Sequence, residues 1–459
     1  SKNDLKKILF DELTELFKKH QFTKWNDFYW SKVTNAGFLS FFKSIRDVNR
    51  FINSLKFTIG IIGKELNSVD FMVITSLQIF EPKVFDLIKN SKSLLIDDPN
   101  DLETSLGIGE KNPDIVAKKK AKFVELISEA KNLSQEKLTH IFEIIFPKTK
   151  NYLDKTYGNY YQDLRNWRKD CRVCSPDYFN LFFKLSVSED ELTTFELENI
   201  ISSIKSEENF SYIIKSLIQQ NKIHKFIERL EDYTLDNEIE LDKSKIIAKI
   251  LVYLGDTIPE KEPMPDFPIP TRIRMIFYQI LSGIKNEDEK FSLYKEVIQN
   301  SKESIHISLY LICYEKDKLN LTKNSYDELK NIVLKNVREW SKNGKSSKHP
   351  KITSIIYRWL ELSEEQEVKE FLDQLLLSDD ELVNFINHSC TGVNSSHKGF
   401  YKRINLEELK RFLNIDSCYS RINKLKNSEA FKTVNESEKE ALDLFLKTYD
   451  GKIPREDQV

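Results

Sequence analysis

Glycine is scarce in this sequence, with 12 among 459 residues. Phosphate-binding loops, tight hairpins and barrel corners use Gly for positive φ angles or for close approach of the backbone. No Gly lies five residues before Gly63-Lys64, Gly344-Lys345 or Gly451-Lys452, so the sequence contains no G-x-x-x-x-G-K phosphate loop. The Gly107-Ile108-Gly109 segment lacks the third Gly of a dinucleotide-binding fingerprint, because Asn112 occupies its place. The sequence therefore argues against a sheet-rich fold and against a glycine loop that binds nucleotide.

Cysteine is also rare, and long apolar runs are missing. Five cysteines are too few for a disulfide framework in a chain of 459 residues. No apolar run approaches the roughly 18–20 residues of a membrane-spanning helix, so we predict no membrane span. The sequence starts at Ser1 without Met and without a signal-peptide pattern, which we interpret as the start of a fragment. Together these features predict a cytoplasmic protein.

The net charge is small. The chain has 70 Lys and Arg residues against 72 Asp and Glu residues, which gives a formal charge of −2. Such a balance provides no general electrostatic attraction to nucleic acid or to an anionic membrane. We therefore expect no nucleic-acid partner. Hydrophobic residues make up 40% of the chain, which is enough for a folded core and excludes global disorder.

Helical periodicity runs through the sequence. Residues 44–47, Ser-Ile-Arg-Asp, have the pattern of a capping box at a helix start. The helix that follows carries an apolar stripe at i, i+3, i+4 and i+7 spacing, made of Val48, Phe51, Ile52, Leu55, Ile59 and Ile62. Residues 67–70 predict a second helix start, and residues 71–80 are apolar on nearly all sides, so we expect deep burial there. Glu81-Pro82 predicts the end of that helix.

These patterns predict an all-α fold, in which a helical, lid-like N-terminal region precedes many helices in irregular, solenoid-like hairpins. Five of the 12 prolines lie between Pro259 and Pro270 and predict an extended connector. Thr271 is predicted to cap the helix after it. The predicted regions are a lid at 1–90, connecting helices at 91–187, a helical subdomain at 188–258, the connector at 259–270 and a C-terminal helical domain at 271–459.

Two local patterns have a functional and a structural interpretation. Cys171-x-x-Cys174 is half of a zinc site, but no second pair of Cys or His with zinc-ligand spacing follows, so buried core cysteines are favoured. His388, Cys390 and His397 lie in the polar stretch 387–402. We predict that this stretch is a surface loop, because a metal site needs three or four convergent ligands.

Three segments match known signatures in the same order. Residues 44–55 read SIRDVNRFINSL, residues 67–82 read NSVDFMVITSLQIFEP, and residues 172–187 read RVCSPDYFNLFFKLSV. They resemble the T-P-R-D-x-x-R-F-x-N, N-x-x-D-F…I-F-E-P and R-I-C-S-P-D-Y-F signatures of the KAP family of P-loop NTPases. Ile45 stands where the first signature has proline. The resemblance covers residues 44–187 and is loose beyond them.

The resemblance implies a role without catalysis for this chain. KAP-family members are STAND-like ATPases, many of them bacterial and several associated with the exclusion of phage or plasmids. Their phosphate loop and Mg²⁺-binding strand lie N-terminal to the matched segments, and this sequence contains neither. The chain thus resembles the lid and C-terminal helical region of such an ATPase, whose complete form would bind ATP and Mg²⁺. The motif residues Cys174, Pro176, Tyr178 and Phe179 are expected to be structural.

The resemblance also implies a nucleotide sensor. In such ATPases an Arg at the start of a lid helix often reaches the γ-phosphate, and the permanently charged, forked guanidinium suits that contact. By motif position Arg46 is the candidate, with Arg50 one turn later on the same face. The alternative for Arg46 is a surface ion pair with Asp47 or Glu65, which would contribute about 0–1 kcal/mol.

Two functions follow as expectations. In the first, the chain couples the nucleotide state of an N-terminal NTPase core to partner recognition or assembly, with bacterial anti-phage defence as one setting. Its partners would be that core, further copies of the chain, or a protein trigger or effector. In the second, the chain is a stand-alone all-helical protein-interaction module without nucleotide chemistry.

Overall fold

Helices dominate the computed structural model, which describes residues 2–19, 24–62, 65–97, 113–153, 160–184, 192–259, 267–314, 322–342, 349–395 and 399–453. Among these residues the only strands are Thr391–Ser395 and Gly399–Arg403, which pair antiparallel with Thr391 opposite Arg403. The predicted all-α fold class is confirmed. None of the described helices combines enough length with enough hydrophobicity to cross a membrane.

Contacts between residues divide the chain into two compact units. Unit 1 comprises Ser1–Ile204, Ser216–Tyr233 and Glu262–Phe267, and unit 2 comprises Lys205–Lys215, Thr234–Lys261 and Pro268–Val459. The helices Glu207–Gln219 and Ile223–Leu235 are therefore divided between the two units. The finer region boundaries expected from the sequence stay predictions.

Unit 1 is a helical core with several short 3-10 segments. Its helices and 3-10 segments are, in chain order, Lys2–Lys19, Asp27–Asn35, Phe38–Phe41, Ile45–Ile62, Ser68–Phe80, Pro82–Lys89, Lys92–Leu95, Pro113–Ser128, Gln135–Ile145, Pro147–Leu153, Tyr160–Lys169, Pro176–Phe179, Leu181–Lys184 and Thr194–Ser203, together with most of Ile223–Leu235.

The helix Ile45–Ile62 begins at the capping box predicted from the sequence. The Asp47 carboxylate accepts hydrogen bonds from the backbone N–H groups of Lys43 and Ser44 at 3.0 and 2.9 Å. The N–H of Asp47 in turn donates to Ser44 Oγ at 3.3 Å. These bonds satisfy backbone donors that a helix start otherwise leaves without partners. The predicted apolar stripe faces the core, because Val48, Phe51, Ile52, Leu55 and Ile59 are all buried.

The next helix, Ser68–Phe80, is buried along nearly its whole length, as its apolar sequence predicts. Asn67 caps it, because Asn67 Oδ1 accepts from two backbone N–H groups of the first turn at 3.1 and 3.2 Å. The helix ends at Glu81, and Pro82 takes the first position of the helix Pro82–Lys89, where its missing N–H is not needed. The predicted boundary at Glu81-Pro82 is confirmed.

Aromatic rings pack these two helices together. The ring centroid of Phe42 lies 5.1 Å from that of Phe51 and 5.7 Å from that of Phe80. Phe38 approaches Phe42 and Phe51 edge-on at 5.6 and 6.0 Å. Aromatic pairs in this geometry contribute about 0.5–1.5 kcal/mol each beyond the area they bury. The ring cluster therefore fixes the orientation of the helix that carries Arg46.

Unit 2 is built from helices that contact their second neighbours along the chain. Its elements are Leu241–Leu254, Gly255–Thr257, Ile269–Gly283, Glu287–Asn300, Ile305–Tyr314, Lys323–Ser341, Ile352–Leu362, Glu365–Leu375, Asp379–Ser389, the two strands, Leu406–Leu409, Ile415–Lys426, Glu429–Thr433 and Glu436–Tyr449. One layer contains Ile269–Gly283, Ile305–Tyr314, Ile352–Leu362 and Asp379–Ser389, and the other contains Leu241–Leu254, Glu287–Asn300 and Lys323–Ser341. This layering is the hairpin arrangement expected from the sequence.

The expectation of a surface loop at residues 387–402 was wrong. The helix Asp379–Ser389 extends into this stretch, and the two paired strands follow it. The physical reason is that the two strands contain Thr, Val, Phe and Tyr, residue types that favour the extended backbone of a β-sheet. His397 lies outside the described residues.

The predicted cap at Thr271 was also wrong. The helix Ile269–Gly283 begins two residues earlier, with Pro270 in its first turn. Proline suits that position because its φ is already helical and its missing N–H is not needed. Thr271 instead uses its hydroxyl in a hydrogen bond with the Tyr310 hydroxyl at 2.8 Å.

Glu81 holds a turn of unit 1 with its side chain. Its carboxylate is 2% exposed and accepts hydrogen bonds from three consecutive backbone N–H groups, those of Lys131, Asn132 and Leu133, at 2.8, 2.5 and 2.6 Å. Buried backbone donors need an acceptor, and a carboxylate is a strong one. The end of one helix is thereby joined to a turn about fifty residues further along the chain.

We predict that Glu81→Ala destabilises unit 1 by about 3 kcal/mol or more, because three buried donors lose a charged acceptor. Urea denaturation followed by circular dichroism measures this loss. Glu125→Ala is the matched control, since Glu125 is an exposed carboxylate on the helix Pro113–Ser128, and we expect a change within about 0.5 kcal/mol. Equal effects of the two substitutions would contradict the role given to Glu81.

Candidate functional site

Arg46 projects from the first turn of the helix Ile45–Ile62, and its side chain is exposed. The capping box immediately before it and the aromatic cluster beneath it hold the backbone at this point. A guanidinium on such a base can reach a ligand without first ordering the chain that carries it. The position is therefore suited to contact with an anion.

Neither of the two acids considered as a partner for Arg46 pairs with it in the described structure. The Asp47 carboxylate is engaged by the backbone N–H groups of the helix cap. Glu65 is half-buried, and this burial raises its pKa. The groups that partly oppose the rise are a hydrogen bond from Thr193 and the charge of Arg229, and Arg46 is not among them. Among the described residues Arg46 forms no ion pair, so the ion-pair interpretation finds no support there.

The exposed face of this helix is polar, cationic and partly aromatic. At spacings of three or four residues it carries Arg46, Asn49, Arg50, Asn53 and Phe57, which we call the Arg46 face. Phe57 is 74% exposed, which is unusual for a ring of that size. Arg50 lies over the Phe80 ring, 5.8 Å from its centroid, so its charge is partly used in a cation–π contact within unit 1. Arg46 has no such contact among the described residues.

Three of the four motif residues lie in the core of unit 1, and Pro176 lies next to it. Cys174, Tyr178 and Phe179 are 2%, 3% and 1% exposed, and Pro176 begins the short helix Pro176–Phe179. Burial raises the pKa of the Cys174 thiol, and the nearby Arg172 only partly opposes this. A thiol in that state is a core side chain and not a reactive one. Among the described residues no group of three or more His, Cys, Asp or Glu side chains is arranged to hold a metal ion.

Tyr178 connects the motif to a helix that lies later in the chain. Arg229, on the helix Ile223–Leu235, donates from Nη2 to the Tyr178 hydroxyl at 2.7 Å. The same guanidinium donates to the Thr194 hydroxyl and to the Leu192 carbonyl. Burial raises the pKa of Tyr178, so the hydroxyl is neutral and serves as a hydrogen-bonding group.

Asp177, between the motif residues, belongs to a buried ion network. Arg168 Nε lies 2.8 Å from Asp177 Oδ2, and Arg168 Nη1 lies 3.3 Å from Asp232 and 3.4 Å from Glu228. Lys225 adds a second cation 2.8 Å from Asp177. Burial alone would raise the pKa of Asp177, but the charges of Arg168 and Lys225 outweigh it and hold the pKa well below its usual range. The carboxylate therefore stays ionised inside the fold.

A second buried pair joins two of the signature segments directly. Arg172 Nε donates to Asp70 Oδ2 at 2.6 Å, and the N–H of Val173 donates to the same oxygen at 2.9 Å. The Tyr29 hydroxyl also donates to Asp70, and Arg172 Nη2 donates to the Ile144 carbonyl at 3.0 Å. Burial lowers the pKa of Arg172, and the charge of Asp70 more than reverses this, so the pKa is raised.

The comparisons with known proteins were negative. No protein-family model, curated protein or solved structure matches this chain. The arrangement of its own residues therefore carries the functional argument. That arrangement places Arg46 and Arg50 at the surface of unit 1, and Cys174, Pro176, Tyr178 and Phe179 in or next to its core.

Sequence reasoning missed the buried charges that organise unit 1. Asp70 is fully buried, and Arg172 is 8% exposed. A signal was present, because Asp70 is the one acid in a helix that is otherwise apolar on nearly all sides. A carboxylate in such a helix requires a cation or several donors. Which cation would supply them depends on a contact across 102 positions in the sequence, and local pattern does not reveal it.

We predict that Asp70→Asn lowers the free energy of unfolding by about 3–5 kcal/mol, because the Arg172 charge would stay buried without its counter-charge. Thermal or urea denaturation at neutral pH measures this. The matched control is Asp86→Asn, which changes an exposed carboxylate on the neighbouring helix Pro82–Lys89. A loss below about 1 kcal/mol for Asp70→Asn would show that the pair contributes little to stability.

Proposed function

We propose that this chain is the lid and helical arm of a KAP-like P-loop ATPase, and that Arg46 senses the γ-phosphate held by the catalytic core of the complete protein. ATP and Mg²⁺ bind to that core, and this chain supplies no catalytic residue. The observation that carries the proposal is an exposed Arg without an acidic partner in the described residues, on a helix start that backbone hydrogen bonds hold.

The chemistry of the Arg46 face supports this role. A guanidinium presents several donors in a plane and keeps its charge at every physiological pH, which suits it to phosphate oxygens. Two cations further along the same helix are already engaged, since Lys56 lies 3.5 Å from Glu12 and Arg50 lies over Phe80. Arg46 is the residue of this face whose charge is left for a ligand from outside the described structure.

The packing beneath the face supports a lid that moves as a body. The helix of Arg46 packs on Ser68–Phe80, and that helix is bound through Asp70 to Arg172. Contact of Arg46 with a phosphate would therefore bias the position of this whole part of unit 1. Such a bias requires only that the contact between Arg46 and the phosphate have a more favourable free energy in one state of the lid than in the other.

Unit 2 would be the part that recognises a partner or drives assembly. Layers of helical hairpins present extended surfaces, and such surfaces are a common basis for binding proteins. In this proposal the partners are the NTPase core, further copies of the chain, or a protein trigger or effector, with bacterial anti-phage defence as the setting. The defence role rests on the family resemblance alone.

The layered helices of unit 2 equally suit a second function, a stand-alone helical interaction module in the cytoplasm. In that case the signature segments keep the fold of unit 1 and Arg46 has no ligand. Nucleotide binding distinguishes the two proposals, because only the first requires that the natural gene product containing this chain bind ATP with Mg²⁺.

We predict that Arg46→Ala in the natural gene product lowers ATP turnover, or ATP-dependent assembly measured by light scattering, by tenfold or more, because a charge-assisted contact to phosphate is lost. The melting temperature should stay within about 1 °C, since the side chain is exposed. Arg50→Ala should have a smaller effect on turnover, because Arg50 also contacts Phe80.

The matched control is Lys43→Ala, which removes an exposed cation close to the same helix start. Its side chain is not required for the cap, since only the backbone N–H of Lys43 bonds to Asp47. Unchanged turnover and assembly in Arg46→Ala would remove Arg46 from the mechanism. An absence of ATP binding by the wild-type gene product would favour the interaction module.

A further inference from the structure

Two of the chain's seven histidines lie beside one carboxylate in unit 2, and a third interacts with one of them. His306 lies on the helix Ile305–Tyr314, His349 precedes the helix Ile352–Leu362, and His388 lies in the last turn of Asp379–Ser389. Asp256 lies within 4.0 Å of His306 Nδ1 and 3.5 Å of His349 Nε2, and His388 interacts electrostatically with His349. We call Asp256, His306, His349 and His388 the histidine cluster.

The Asp256 carboxylate, which lies beside His306 and His349, also caps a helix. Its Oδ2 accepts from the N–H of His306 at 2.8 Å, and its Oδ1 accepts from the N–H of Ile307 at 3.1 Å. The Asp256 side chain is 3% exposed. The first turn of the helix Ile305–Tyr314 is therefore held by a buried carboxylate, an arrangement that hydrogen bonds and the helix dipole both favour.

The two nearest imidazoles occupy different positions around that carboxylate. His306 Nε2 is hydrogen-bonded to Ser354 Oγ at 3.0 Å, which joins its helix to Ile352–Leu362. His349 Nδ1 accepts from the N–H of Lys351 at 3.1 Å, so in neutral His349 the proton lies on Nε2, toward Asp256. Protonation of His306 would place a second charge next to the Asp256 carboxylate.

Ser354, His306 and Asp256 follow the order of a hydrolase triad, but the geometry does not support proton abstraction. His306 Nδ1 lies 4.0 Å from Asp256 Oδ1, which is too far for the hydrogen bond that orients a catalytic imidazole. Burial also lowers the pKa of His306 to about 4, although Asp256 opposes this shift, so His306 is a weak base. A structural role for the cluster agrees better with these observations.

The charges that face the cluster are mostly positive. Arg358 on the helix Ile352–Leu362 and Lys351 just before it both disfavour a charged His306, and Lys351 also disfavours a charged His388. Glu438, on the helix Glu436–Tyr449, favours a charged His388. On the helix Ile269–Gly283, Arg274 lies over the ring of Tyr310, which is itself 6.1 Å from the His306 ring. A proton added to His306 therefore meets the cations Arg358 and Lys351 and the acid Asp256.

Protonation of His306 would also act directly on the helix it belongs to. His306 is the second residue of Ile305–Tyr314, where the backbone N–H groups give the helix its positive end. A cation at that end is unfavourable, and it would compete with the N–H groups for Asp256. The first turn of this helix is thus the element most exposed to a change in protonation.

We propose that the histidine cluster is an acid-sensitive latch, which releases the first turn of Ile305–Tyr314 from the helix Ile352–Leu362 when His306 is protonated. The latch is closed at neutral pH, where His306 is uncharged and bonded to Ser354. A buried imidazole between packed helices is a common basis for such pH switches.

The direction of the pH effect follows from linkage. Because the pKa of His306 is lowered in the folded state to about 4 from 6.5, the opened state binds more protons between these values. The free energy that the closed latch contributes to stability is fully present above pH 6.5 and is lost as the pH falls toward 4. From pH 7.5 to 5.0 the opening equilibrium should shift about thirtyfold toward the opened state.

Hydrogen exchange measured by mass spectrometry tests this on the whole chain. Protection of the amides in Ile305–Tyr314, corrected for intrinsic exchange, is compared at pH 7.5 and 5.0 in wild type, His306→Gln and His140→Gln. His140 is exposed in unit 1 and serves as the matched control. We expect the pH-dependent loss of protection to be about thirtyfold larger in wild type and in His140→Gln than in His306→Gln. Equal pH dependence in all three proteins would overturn the proposal.

A titration of wild-type protein covers the case in which His306→Gln does not fold. Histidine-selective NMR follows the seven rings from pH 7.5 to 5.0. We expect at least one ring that stays neutral throughout while the protein remains folded. Ser354→Ala, which keeps His306 but removes its partner, should shift that ring toward ordinary titration. Titration of all seven rings near the unperturbed value would overturn the proposal.

Discussion

The buried ion pair between Asp70 and Arg172 is the contact on which unit 1 depends most. It joins the second and third signature segments, which lie 102 positions apart, and it also draws in the Tyr29 hydroxyl and the Ile144 carbonyl. A carboxylate and a guanidinium that are removed from water each need several hydrogen-bond partners. Here four separate segments of the chain supply them, so all four must be in place at once. Desolvation offsets much of the attraction in such a pair, whereas loss of one partner leaves the other charge buried without compensation.

The surface site follows from this core. Asp70 lies in the first turn of Ser68–Phe80, and the rings of Phe42, Phe51 and Phe80 lock the Arg46 helix onto that helix. The position of Arg46 is thus set by contacts in which its own side chain takes no part. This division is typical of functional residues, whose side chains stay available because backbone and neighbours fix their place.

The sequence predicted those features of the fold that depend on neighbours in the chain. Capping at Ser44 and Asn67, the buried stripe from Val48 to Ile59 and the break at Pro82 all follow from residues within a few positions of each other. Pairings over long distances could not be predicted, among them Asp70 with Arg172, Glu81 with the turn 131–133 and Asp256 with His306. The strands Thr391–Ser395 and Gly399–Arg403 were missed because they are short and contain several polar residues.

The buried and the exposed charges of unit 1 support different conclusions. Arg168, Arg172 and Arg229 are each held by several acceptors, and their pKa values are raised because nearby acidic groups outweigh the effect of burial. Their presence is explained by the fold. Arg46 makes no comparable contact in the described residues, and its helix would form without it, since the cap uses Ser44 and Asp47. In the proposed function an external anion acts at a charge that the fold does not use, and this is why the proposal rests on Arg46 and not on the arginines of the core, which already have several acceptors.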